Sequence, residues 1–283
     1  MLVDYHVHSE FSDDSEYEME QVVKDAISKG LSEICFTDHV DYGIKKDWDA
    51  PGGLEKRPGG PGEPEWMYLS NVDYPKYFEK IKYLQEKYKD QITIKRGLEF
   101  GMQVHTIEDY EKLYAKYDFD FILMSIHQIK NKEFWTGEYQ AGKTQQEYNE
   151  EYYQEMLELV KKYKNYSCLA HMDLIVRYDP AGVYPFEKLK PVITEILKQV
   201  IKDGKGIELN TSFHRYNLKD SQPSRAILNL YKELGGTIIT IGSDSHKESH
   251  LGAYVDEAQE ILKEVGFEYY CTFEKMKPIY HKL

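Results

Sequence analysis

At 283 residues the chain fits one large domain or two small ones, and α/β barrels commonly reach this size undivided. A formal net charge of -13 argues against general affinity for nucleic acid or an anionic membrane, although bound divalent cations could still draw an anionic substrate. Three scattered cysteines form no paired motif; with no signal peptide and no apolar run of about 18 residues, the expected setting is cytoplasmic, without a membrane partner.

The chain opens on Leu2-Val3-Asp4-Tyr5, an apolar strand that runs into His6-Val7-His8. Alternate strand side chains share a face, so His6 and His8 point the same way and could grip one metal ion together. The acidic pair Asp13-Asp14 follows closely. Met19, Val22, Val23, Ala26 and Ile27 recur at helical spacing, and Gly30 supplies the stop. A strand over 31–36 ends at Thr37-Asp38-His39. From Asp41 to about Asn71 the chain is rich in Gly and Pro, which reads as a lid, a binding loop or disorder.

Tyr74, Phe78, Ile81, Leu84 and Tyr88 mark the next helix, and the strand over 92–98 terminates at Glu99. Thr106 with Asp109 resembles a capping box opening a helix, and an apolar strand over 119–126 stops at His127. Thr144 with Glu147 opens another helix, and a strand over 166–170 ends at His171. Pro191 fits the first turn of a helix closed by Gly204. The strand over 206–209 leads to Asn210 and His214, and helix 224–234 follows. A strand over 237–241 ends at Gly242-Ser243-Asp244-Ser245-His246, and a helix over 255–264 precedes a mixed tail.

Strand–helix alternation about seven times over calls for a parallel sheet and favours a barrel, with a doubly wound open sheet as the alternative. The metal-capable residues fall at the strand ends: His6 and His8, His39, Glu99, His127, His171, then Asp244 with His246. Active sites of parallel barrels are built at that end. One zinc with an open position needs about three protein ligands, so this larger set implies roughly two to three ions. An all-N/O set suits zinc, iron or manganese. Glu99 is the natural bridge, since each carboxylate oxygen could take one ion.

His6-Val7-His8 with Ser12-Asp13-Asp14, Thr37-Asp38-His39, Gly97-Leu98-Glu99, Ser125-Ile126-His127, Ala170-His171-Met172-Asp173 and Gly242-Ser243-Asp244-Ser245-His246 resemble the motifs of the polymerase and histidinol phosphatase superfamily, in its order. The Gly/Pro stretch and the Tyr-rich run up to Glu99 look most like its histidinol-phosphate phosphatase branch. The resemblance implies a distorted (β/α)7 barrel over 1–283 with a trinuclear metal centre. It implies that His6, His8, Glu99 and Asp244 hold one ion, and that Glu99 bridges to a second held by His127 and His171. A third would take His39, His246 and a ligand after the first motif, where Asp13 and Asp14 occupy both places and Asp13 is preferred.

The expected reaction is metal-dependent hydrolysis of L-histidinol phosphate to L-histidinol and phosphate, in histidine biosynthesis. Cations would depress the pKa of the attacking water and neutralise phosphoryl oxygens. Arg177 is the expected phosphate-binding residue, with pairing to Asp179 as the competing reading. Asp41 and His214 are the candidate acids for the leaving alkoxide, and Asn210 joins Arg177 and His214 as a substrate-binding candidate. Asp38 and Asp173 would orient ligands, while His105, His250 and His281 read as surface residues. The rival readings are another small phosphomonoester, nucleotide or phosphoprotein as substrate, or a silent metal-binding module. Oligomeric state is open.

Overall fold

In the computed structural model, which describes residues 1–58 and 66–283, the first and last parallel strands lie side by side. Seven strands follow one another around the sheet in chain order: β1 (Val3–Val7), β2 (Glu33–Phe36), β3 (Thr93–Gly101), β4 (Phe121–Ser125), β5 (Cys168–Leu169), β6 (Gly206–Asn210) and β7 (Ile239–Gly242). Each ladder between neighbours is parallel. Between β7 and β1 the ladder shrinks to one bridge, where His8 N donates to Ser245 O at 2.8 Å and Ser245 N to His6 O at 3.1 Å. Asp4 stitches the rest of that seam, accepting from Ser243 N at 2.8 Å and Gly252 N at 2.9 Å. The result is a nearly closed, distorted (β/α)7 barrel, and the open-sheet alternative falls.

The helices α1 (Met19–Ser28), α2 (Tyr74–Lys87), α3 (Ile107–Tyr114), α4 (Gln145–Lys162), α5 (Phe186–Lys202), α6 (Arg225–Glu233) and α7 (Val255–Val265) follow the strands. β1, β4, β6 and β7 are buried at every position, as strands covered on both faces must be. Helix α5 shows how a stripe is buried, with Leu189, Ile193, Ile196, Leu197 and Val200 all inside. Each such side chain contributes about 1.5–3 kcal/mol on burial. The expected capping box at the start of α4 is present, with Thr144 and Glu147 each satisfying the other's backbone N–H.

Three expectations need correction. Helix α5 starts at Phe186, so Pro191 sits inside it and forfeits the bond to the Glu187 carbonyl rather than occupying the first turn. Thr106 makes no cap to Asp109; it closes a short 3-10 turn by bonding Gln103, and α3 begins after it. The mixed tail is an antiparallel hairpin, β8 (Tyr269–Glu274) with β9 (Lys277–Lys282). Its turn residues Lys275 and Met276 adopt φ of 48° and 63°, positions that Gly or Asn would have announced. The hairpin packs at the amino ends of the strands, where Phe273 N donates to Tyr5 Oη at 2.8 Å and Met276 N to Asp120 O at 2.9 Å.

Part of the Gly/Pro stretch, residues 59–65, lies outside the described residues, and so does that part of the expected lid. No described helix is long and apolar enough to cross a membrane. Cys35, Cys168 and Cys271 are free and buried.

Candidate metal centre

Register decides what gathers at the carboxyl ends of the strands. His6 on β1 and His8 just beyond it share a face, and Glu99 on β3 faces them across the barrel interior. Glu99 Oε2 lies 3.1 Å from His6 Nε2, 3.5 Å from His8 Nε2 and 3.1 Å from His39 Nδ1. Its other oxygen, Oε1, lies 3.1 Å from His127 Nε2 and 2.8 Å from His171 Nε2. Each oxygen therefore serves a different group of imidazoles, which is the arrangement a bridging carboxylate needs. Asp244 Oδ1 completes the first group at 3.7 Å from His6 and 3.6 Å from His8. His171 and Asp244 hold their positions with positive φ, 21° and 57°, a conformation that packing must enforce in non-glycine residues.

A third group lies beside these. His39 Nε2 and His246 Nε2 face each other at 3.4 Å, and Asp14 Oδ2 lies 3.4 Å and 3.2 Å from them. Asp13, the preferred ligand from sequence, also lines the cleft, but its Oδ1 accepts from Lys45 Nζ at 2.6 Å and it makes no close contact with His39 or His246. The geometry therefore favours Asp14 over Asp13.

The donors themselves fit cations. Two imidazole nitrogens at 3.4 Å share at most one proton, and the His8 ring stacks on both His39 and His246 at 4.2 and 4.0 Å. The buried atoms His8 Nε2, His171 Nδ1 and Asp14 Oδ1 find no hydrogen-bond partner among the described residues. Among the described residues, four groups of three His, Asp or Glu residues have donor atoms within 4.8 Å of one another: His8-His39-His246, His6-His171-Asp244, His6-His8-Glu99 and His39-Glu99-His127. Nitrogen and carboxylate oxygen without thiolate suit zinc, iron or manganese.

Electrostatics bind this cluster tightly. Burial opposes ionisation of Glu99, but His6, His127 and His39 outweigh it and hold the carboxyl well below its usual range. Burial likewise opposes a charged His6, yet Glu208, Glu99 and Asp244 push its pKa well above normal. His8 goes the other way, driven down by burial and then by His246, His39 and His6. His127 is raised to about 9, since Glu99 and Asp41 overcome burial. Asp14 is held low against burial by His246 and His39.

Glu208 was missed from sequence, where it reads as mid-strand. It is buried on β6, accepts from His6 Nδ1 at 2.6 Å and from His171 N at 2.9 Å, and so fixes two proposed ligands at once. Asp41 does the same for His127, accepting from Nδ1 at 2.8 Å. Ser12 links Asp38 to His8 and His39 by accepting from His39 N and donating to Asp38. Asp38 thus acts through Ser9 and Ser12 rather than on a ligand, and Asp173 accepts from Ser224 N instead of orienting His171.

Above the histidines opens a cleft of about 530 Å³ whose walls carry Lys45, Arg177, Arg215 and Lys247. The Arg177 side chain is only 4% exposed and does not pair with Asp179. Its Nε donates to Gln222 Oε1 at 2.8 Å, and Nη2 lies 3.2 Å from Asp244 Oδ2. Asp179 is engaged by Tyr148 and Asn149. Asn210 does not line the cleft; its carboxamide holds Ser212, Glu208 and Asp244. His214 does not line it either, because a 3-10 turn over Thr211–His214 stacks it on Tyr254 at 3.9 Å and beside Glu257. His250, read as a surface residue, does line the cleft.

Comparison with known proteins agrees with this geometry. A PHP-domain family model matches residues 4–212. The histidinol-phosphatase of Lactococcus lactis subsp. lactis is 32% identical, covering 97% of this chain and 95% of its own. A probable histidinol-phosphatase of Clostridium acetobutylicum is 29% identical over 95% of this chain and 97% of its own. The crystal structure of the Lactococcus lactis histidinol phosphate phosphatase, complexed with zinc, L-histidinol and phosphate, superposes with a TM-score of 0.81 over 98% of both chains. From its motifs to its barrel, the chain belongs to the PHP-domain family.

Proposed function

We propose that this chain, as one catalytic domain in the cytoplasm, hydrolyses L-histidinol phosphate to L-histidinol and phosphate with two to three divalent transition-metal ions. One observation carries the reading: a floor of imidazoles and carboxylates and a wall of guanidinium and ammonium groups meet in a single cleft. The related Lactococcus lactis enzyme, bound to zinc, L-histidinol and phosphate, supports the choice of substrate and of zinc.

His6, His8, Glu99 and Asp244 would hold one ion, Glu99 with His127 and His171 a second, and His39, His246 and Asp14 a third. Such ions, when bound, lower the pKa of water and neutralise phosphoryl oxygens. The protein's own groups do the rest. Arg177 and Arg215 offer fixed guanidinium forks to a phosphate. Arg177 is held by Gln222 and Ser212, and Arg215 by the carbonyls of Ser243 and Asp244. Asp41, buried between His127 and Lys45, accepts from both; they hold its carboxyl well below the usual range against burial, so it orients His127 rather than supplying a proton. Trp135, Tyr178 and Tyr216 line the same cleft and present rings on which an imidazole packs.

The test is phosphate release from L-histidinol phosphate against p-nitrophenyl phosphate, with and without chelator. Release from histidinol phosphate that chelator abolishes and zinc restores is the expected result. Equal turnover of the aryl ester would remove the specificity, and no release from either would leave only a metal-binding module.

A further inference from the structure

We propose that Lys45 is the positioning residue that keeps Asp13 and Asp41 out of the metal set, leaving Asp14 as the carboxylate beside His39 and His246. The proposal rests on the reading that the cleft floor holds metal ions. Lys45 stands on the first turn of the 41–71 stretch, where its N–H donates to the Asp41 carbonyl at 2.9 Å. Its ammonium reaches back to Asp13 Oδ1 at 2.6 Å and Asp41 Oδ2 at 2.9 Å. The three side chains are only 8%, 3% and 4% exposed, so little water screens them.

Asp13 and Asp14 are neighbours in the chain, carry the same side chain, and both line the cleft. What separates them is the cation. Asp13 has its charge matched by an ammonium at hydrogen-bond distance, which makes it a poorer donor to a metal ion. Asp14 instead meets the imidazoles of His39 and His246 at 3.4 and 3.2 Å, and feels the Lys45 ammonium only from beyond ion-pair distance.

The same ammonium acts on Asp41. With Oδ2 on Lys45, Asp41 presents Oδ1 to His127 Nδ1 at 2.8 Å, and that bond leaves His127 Nε2 facing Glu99. One buried lysine therefore selects a ligand on one side of the site and orients another on the far side. It also ties the base of the Gly/Pro stretch to the metal floor.

The test compares wild type, Lys45→Met, Lys45→Arg, Asp13→Asn and the double variant K45M/D13N, each loaded with zinc. Zinc kept per chain is followed by elemental analysis during a timed EDTA challenge, beside kcat and KM for histidinol phosphate. Wild type, K45R and D13N should keep zinc alike. K45M should lose its most labile zinc at least about 10-fold faster, since groups that orient ligands typically set affinity by that much. Its kcat should fall while KM stays within about two-fold, the pattern of a lost transition-state contribution. The double variant should recover zinc retention only in part, because Asp41 is still unsupported.

K45M with wild-type retention and kcat would overturn the proposal, and full recovery in K45M/D13N would overturn the role on Asp41. Rapid zinc loss from D13N, a variant that removes no buried cation and so tests the idea even if K45M fails to fold, would make Asp13 a ligand after all. Wild-type protein that takes up no zinc would sink the metal reading beneath it, whereas zinc-loaded wild type matched by K45M would sink this proposal alone.

Discussion

His6 Nδ1 and Glu208 Oε1 meet at 2.6 Å with neither side chain exposed. The contact joins the first barrel strand to the sixth, across the seam that hydrogen-bonded ladders leave weakest. It also orients the His6 ring: with Nδ1 turned to Glu208, Nε2 faces Glu99 and Asp244. Gly242 makes the approach possible, since a Cβ there would stand 2.4 Å from both Glu208 Oε1 and His6 Cβ.

Glu208→Gln should therefore weaken metal binding without touching a ligand. The amide keeps the shape but loses the charge that holds His6 basic, and outer partners of this kind are worth about 10–100-fold in affinity. Zinc competition against a graded chelator measures it. Glu208→Ala should in addition lower stability by about 1–3 kcal/mol for each group left unpaired, with His6 Nδ1, His171 N and Asn210 Nδ2 at stake. Unchanged zinc affinity in E208Q would show that His6 is oriented by something else.

Gly101→Ala should damage catalysis more than folding. A Cβ at 101 would lie 1.8 Å from Asp41 Oδ1 and 2.7 Å from His127 Nδ1, so one of the pair must leave. Overpacking of this kind costs about 1–3 kcal/mol. Displacing a catalytic constellation by about 1 Å costs about 100-fold in rate. Measuring Tm and kcat/KM on the same preparation separates the two, and wild-type kcat/KM would show that the Asp41–His127 contact is dispensable.

The strand-end residues were legible because β alternation and the barrel's carboxyl-end rule act locally. His6 and His8 share a face whatever the rest of the chain does. Glu208 was hidden between Ile207 and Leu209, where the apolar run looked like plain core; a carboxylate inside such a strand needs a buried partner, and that was the available signal. The choice between Asp13 and Asp14 was not legible, since it depends on Lys45 arriving from a stretch with no periodicity. His214 followed a strand closely enough to suggest the cleft, but one 3-10 turn carried it to Tyr254. The C-terminal hairpin was missed because its turn holds Lys275 and Met276 in a conformation their side chains do not advertise.

Asp14→Asn should remove about one metal equivalent and most turnover, while leaving the barrel folded. Asp14 is still 28% exposed on its side chain and makes no contact that the core needs, so its loss costs little stability. The ions on the Glu99 side should remain, because their donors come from β1, β3 and the ends of β4 and β5. Elemental analysis of the purified variant gives the count. Full metal content in D14N would return Asp13 to the ligand set.

Arg177→Lys should lower kcat/KM by about 100-fold with zinc content unchanged, since each tenfold corresponds to about 1.4 kcal/mol and several fixed bonds are lost together. A lysine has no planar fork: it could keep the charge beside Asp244 yet not hold Gln222, Ser212 and Asp244 at once. Arg177→Met is harsher, because breaking a buried ion pair costs about 3–5 kcal/mol. The cost here should fall toward the lower end, as Arg215 Nη2 also stands 3.4 Å from Asp244 Oδ2 and shares the load. If R177K matched wild type in kcat/KM, the guanidinium would serve only to brace Asp244, and phosphate recognition would pass to Arg215 and Lys247.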